Sequence, residues 1–77
     1  MQIFIHNTVG TTLVMDITSS HTIQMIKYYI LNKIGIPTRH QLLIYNGKVM
    51  PEYGNYPLEN NDIIHLRLRL NQMPRIF

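Results

Sequence analysis

The chain has no cysteine and no tryptophan, and only four acidic residues among its 77. Without cysteine it has neither a disulfide framework nor a thiolate zinc site, so burial of apolar surface must supply the stability. That composition is compatible with the cytoplasm or the nucleus, the two locations expected. The acids are Asp16, Glu52, Glu59 and Asp62, and the net charge of +3 reflects their scarcity rather than clustered cations. A dispersed excess of this size weakly favours acidic partners and does not focus charge as nucleic-acid binding requires. Long apolar runs are missing too. The most apolar stretch is interrupted by Lys27, Asn32 and Lys33, so no membrane span is expected. The opening MQIFIHNTVG has neither the cationic head nor the apolar run of an export signal.

Reactive constellations are equally scarce. There is no thiol nucleophile, no carboxylate pair at plausible spacing and no glycine-rich phosphate loop, and each of the four glycines falls at a turn or a cap. No catalytic residue, cofactor or small-molecule substrate is therefore expected, and the chain reads as non-enzymatic. His6 and His65 would come close if the first and last strands were neighbours. Two imidazoles can share a metal or titrate together, but zinc needs three or four ligands and no third is visible, so no metal site is assigned.

What remains is a chain that is 45% apolar and 14% charged, the balance of one small globule near the lower size limit for a self-stabilising core. Met1, Ile3 and Ile5 alternate with Gln2, Phe4 and His6, as in a half-buried strand. After a turn at Gly10, Leu13, Met15 and Ile17 repeat the pattern, which closes a hairpin. Thr22 is placed to cap a helix over about 23–34, in which Ile23, Ile26, Ile30 and Ile34 form one stripe. Gly35 and Pro37 then stop it. Gln41–Tyr45 reads as a third strand, Asn46-Gly47 as a tight turn and Lys48–Met50 as a short fourth strand, with 51–63 irregular and a last strand over Ile64–Leu70. The order strand, strand, helix, strand, short strand, strand predicts an α+β domain: a mixed sheet of about five strands around one helix. Its core is Ile3, Ile5, Leu13, Met15, Ile17, Ile23, Ile26, Ile30, Leu43, Met50, Leu58, Ile64 and Leu66. Residues 1–70 are expected to form the domain and 71–77 a flexible tail, since the latter lack periodicity and contain Pro74.

On the same helix Met25, Tyr28, Tyr29 and Asn32 fall outward, where a small domain should show charge. This stripe is expected to pack on another chain, on a second copy or on the rest of a longer protein, the alternative being cover by neighbouring loops.

In order along the chain, MQIF at 1–4, Gly10, Thr22-Ile23, Lys27, Ile30, Lys33, Gly35-Ile36-Pro37, Gln41, Leu43-Ile44, Gly47-Lys48, His65-Leu66 and Leu68-Arg69-Leu70 resemble the ubiquitin family. No gap is needed up to Met50, and the GIP and LI-x-x-GK segments are specific. The resemblance implies the β-grasp fold and a role as a recognition module or modifier. Two departures stand out. The stretch between Met50 and His65 is about three residues shorter than in ubiquitin, with Tyr56 at the place of the family's buried loop tyrosine. Gln72 and Met73 occupy the diglycine positions, and no Gly-Gly follows Leu70 in this sequence. Activation threads the C-terminus through a narrow channel that side chains obstruct, so conjugation through this tail is not expected.

The resemblance also implies surfaces. The family's main recognition patch falls on Thr8, Ile44, His65 and Arg67, where Thr8 and Arg67 replace aliphatics. Leu42 shares that face and Val49 adjoins it, which shifts the patch toward an apolar area edged with cation. The alternative is a solvated sheet face with scattered aliphatics. A second patch maps to Ile36, Leu68 and Leu70, and a third to Gln2, Phe4 and Thr12, either functional or kept as scaffold. Lys27, Lys33 and Lys48 match the family's chain-forming lysines and are candidate ubiquitin acceptors. Lys27 and Glu52 resemble its structural ion pair. The expected role is non-covalent binding of proteins, such as ubiquitin receptors or ubiquitin-pathway enzymes. One alternative is a modifier or precursor conjugated to targets, and another is a scaffold that self-associates through the helix face.

Overall fold

The computed structural model describes residues 1–69. Leu70 of the second patch and the tail expected over 71–77 lie outside the described residues. The elements are β1 (Gln2–His6), β2 (Thr12–Asp16), α1 (Ile23–Ile34), a short 3-10 turn (Thr38–His40), β3 (Gln41–Tyr45), β4 (Lys48–Val49) and β5 (Asp62–Leu68). They form one mixed sheet in the order β2-β1-β5-β3-β4, with β1 and β5 parallel and the other neighbours antiparallel.

The helix lies where its stripe and caps place it. Thr22 is extended, and its Oγ1 accepts the Met25 N–H at 3.2 Å, relieving one of the unpaired donors of the first turn. At the other end Gly35 takes φ 78°, a left-handed conformation that lets its N–H donate to Leu31 O at 2.8 Å. Ile23, Ile26 and Ile30 are buried against Ile3, Ile5, Met15, Ile17, Leu43, Met50, Ile64 and Leu66. Gln41 is buried as well, and its Nε2 donates to the carbonyls of Lys27 and Ile36, both at 2.9 Å, tying β3 to the middle of the helix and to the segment just past it. The 51–58 segment clamps the helix start: Ile23 N–H donates to Gly54 O at 2.7 Å, and Asn55 Nδ2 donates to His21 O at 2.9 Å.

Several details differ from the sequence reading. Leu13 and Leu58 are half-buried partners of the core rather than members of it, and Met1 is exposed. β5 starts at Asp62, two residues before the expected Ile64, because Asp62 and Ile63 already pair with Ile3 and Phe4. β4 ends at Val49, yet Met50 is still buried and donates to Leu43 O at 2.8 Å. Phe4, on the outer face, is half-buried, since Val14 and Ile63 flank it on the neighbouring strands.

Candidate functional site: the outer face of the sheet

With α1 covering one face, strand alternation assigns the other to a fixed set of side chains. The register Thr12↔His6, His6↔His65, His65↔Ile44, Ile44↔Val49 makes one row across all five strands. A second row is Val14, Phe4 and Ile63, and Arg67 stands opposite Leu42. Ile44 and Leu42 are half-buried, Val49 is 57% exposed, and Val14 and Ile63 are also well exposed. Thr8 is exposed in the turn that follows β1.

The main patch and the third patch, read separately from sequence, are therefore one surface. His6 and His65 join them with rings edge to face at 5.5 Å between centroids. No group of three or more metal-ligating side chains occurs among the described residues. Val14 and Ile63 belong to this face and were not singled out from sequence, although alternation from Met15 and Ile64 was sufficient to find them. The second patch sits elsewhere: Ile36 and Leu68 flank Gln41, the former by a hydrogen bond and the latter as its strand partner.

Electrostatically the outer face is short of anions. Arg67 makes no ion pair among the described residues, and its only side-chain hydrogen bond there is a long one of 3.3 Å to Leu66 O. Asp62 is committed at the start of β5, where its Oδ2 accepts from the Tyr45 hydroxyl and from the Glu59 N–H, both at 2.7 Å. The Asp62 hydrogen bond, with lesser help from burial, raises the Tyr45 phenol above its ordinary value. Tyr45 also meets Tyr56 edge to face, so the loop tyrosine packs on the core from outside.

On the helix side Glu52 holds two cations, Lys27 Nζ at 3.0 Å and Arg69 Nη2 at 2.8 Å. Hydrogen bonds from Arg69 first and Lys27 second hold its carboxyl below the ordinary range. Lys27 is buried with its amine engaged, so it does not offer the free amine expected of an acceptor. Lys33 and Lys48 are exposed. The helix stripe is narrower than the wheel implied. Met25 and Tyr28 are exposed, whereas Tyr29 is half-buried, donates its hydroxyl to Val14 O at 2.7 Å and carries Lys33 Nζ over its ring at 5.5 Å. No described helix is long and apolar enough to cross a membrane.

The sequence model of the ubiquitin family matches residues 3–71. The chain belongs to the ubiquitin family. Among similar proteins, Ubiquitin-like protein 1 of Schizosaccharomyces pombe is 36% identical over 73 residues, spanning 91% of this chain and 94% of that protein. Ubiquitin-like protein NEDD8 of Dictyostelium discoideum is 34% identical over 73 residues, spanning 91% and 95%. NEDD8-like protein RUB3 of Arabidopsis thaliana is 37% identical over 59 residues, spanning 73% and 76%. The five-stranded mixed sheet on one helix is the β-grasp arrangement of this family, and the chain is a ubiquitin-like module. Within the ubiquitin-family domain, Ile44 and His65 stand opposite each other on adjacent strands.

Proposed function

We propose that this ubiquitin-family domain acts non-covalently and without enzymatic chemistry, docking partner proteins on the outer face of its sheet. The observation that carries the reading is the cluster of Leu42, Ile44 and Val49 beside His65 and Arg67, apolar surface joined to a guanidinium that has no acid of its own among the described residues. Such a surface suits a partner that brings an apolar side chain together with a carboxylate. A purely apolar partner would desolvate Arg67 without compensation. Proteins of a ubiquitin-like pathway, receptors or enzymes, are the class of partner that family membership supports.

Conjugation as a modifier is the rival, and the NEDD8-named relatives favour it. Against it stand Gln72 and Met73, whose side chains occupy positions where the family uses glycine. Incubating the 77-residue chain with ATP and the activating enzymes for ubiquitin and NEDD8 separates the two readings. We expect no thioester from any of them, and a thioester on this chain would replace docking with conjugation as the primary role.

A further inference from the structure

Outside the sheet face, a groove of about 330 Å³ runs between α1, the 3-10 turn and the loop after β4. Its walls include Tyr28 and Tyr53, which are 60% and 73% exposed, with Gln24 and Arg39 alongside. Nothing in the core requires these two rings at the surface, because the stripe of Ile23, Ile26 and Ile30 already packs the helix. The charge around the groove is one-sided. α1 contains no acidic residue, and among the described residues Lys27, Arg39 and Arg69 gather near a single carboxylate, that of Glu52. Both oxygens of that carboxylate are taken, Oε1 by Lys27 and Oε2 by Arg69. Arg39 is exposed and makes neither an ion pair nor a side-chain hydrogen bond among the described residues, so its fork of donors is free in a groove that Tyr28 and Tyr53 also line.

We infer that this groove is a second docking site, for an acidic segment of a partner protein that places a carboxylate on Arg39 and an apolar side chain against Tyr28 and Tyr53. Guanidinium and carboxylate match in a planar, bidentate way, and tyrosine gives contact area at low entropic cost. A second copy of this chain is a poorer occupant. A net charge of +3 makes two copies repel, and the groove's carboxylate is already held by Lys27 and Arg69, so the cations of a second copy find no free acid there. The groove lies on the helix side of the sheet and the first docking face on the other, so one domain can hold two partners at once and bring them together.

The test is an amide chemical-shift titration of the isotope-labelled full chain with a short blocked peptide of alternating Asp and Leu, beside an otherwise identical peptide carrying Lys for Asp. We expect saturable shifts at Gln24, Tyr28, Arg39 and Tyr53 with the acidic peptide only, weakening as salt is added. Arg39→Glu should lower the affinity for the acidic peptide by about fivefold or more and give the Lys peptide a measurable affinity at the same residues. Tyr53→Ala, a change on an exposed loop, should weaken binding while leaving the remaining amide spectrum in place. The inference is overturned by an absence of saturable shifts, by equal response to both peptides, or by insensitivity to Arg39→Glu. It is overturned equally if inorganic phosphate at matched ionic strength reproduces the shifts, since the site is then a simple anion site. Broadening of the same signals with protein concentration alone would make a second copy the occupant and overturn it too.

Discussion

Replacing Glu52 by Gln should unsettle the helix side of the domain by an amount the geometry bounds. Lys27 Nζ lies 3.0 Å from Oε1 with its side chain only 8% exposed, while the Glu52 side chain is 45% exposed. Unit charges at that separation attract by about 1.4 kcal/mol in bulk water and about 5.5 kcal/mol at an effective dielectric constant near 20. The half-exposed carboxylate places the pair toward the screened end, and Gln keeps an acceptor oxygen for one of its two cations. The expected loss is therefore about 1–2 kcal/mol, or a fall in Tm of roughly 5–15 °C for a domain of this size. Most of that loss is the cost of an ammonium left buried without its acid, so adding Lys27→Met to Glu52→Gln should restore about half of it or more. The pH dependence has a definite sign. A carboxyl held below its ordinary 4.5 contributes stability that is present above that value and is lost as pH falls through the lower folded value, so wild type and Glu52→Gln should converge in acid. Urea melts followed by far-UV circular dichroism across pH measure all three effects. A Glu52→Gln variant within about 0.5 kcal/mol of wild type at neutral pH, or a double variant no better than the single one, refutes the reasoning.

Two further outcomes follow from local geometry. Tyr45→Phe removes the donor to Asp62 Oδ2 at 2.7 Å. Because the Tyr45 phenol is raised above 10.0, its contribution is present below that value and is lost as pH rises through the raised one, so melts of wild type and variant should differ at neutral pH and converge in strong alkali. Gly35→Ala meets no atom within 4 Å of the added Cβ, so its cost comes only from φ 78° and should be about 1 kcal/mol in a denaturant melt, with Gly35→Asn costing less.

The helix was legible in the sequence to the residue, because an isoleucine stripe, a threonine cap and a glycine stop all agree on Ile23–Ile34. Alternation likewise assigned Ile3, Ile5, Met15, Leu43, Ile64 and Leu66 to the core. Which strands are neighbours was not legible from periodicity, since the parallel β1–β5 pairing joins the two ends of the domain, and only the family resemblance supplied it. That pairing makes one surface of two expected patches. Reach was the other blind spot. A helical wheel fixes the direction in which Tyr29 leaves the backbone, but its long side chain bends back until the hydroxyl meets Val14 O on the edge strand. The half-burial of Phe4 has a related origin, because its strand partners are Val14 and Ile63 and the latter belongs to β5 rather than to the irregular stretch expected over 51–63. The groove of Tyr28 and Tyr53 depends on the loop after β4 folding against α1, which no local pattern encodes.

Docking on the outer sheet face, with Arg67 demanding an acid, can be measured by titrating labelled protein with two amphipathic helical peptides. Both carry a central alanine, and one also carries a Glu placed to reach Arg67. Shifts are expected at Leu42, Ile44, Val49, His65 and Arg67, with about three- to tenfold tighter binding of the Glu peptide and loss of that preference in Arg67→Leu. Equal affinities for the two peptides, or shifts that avoid β3, β4 and β5, would contradict it.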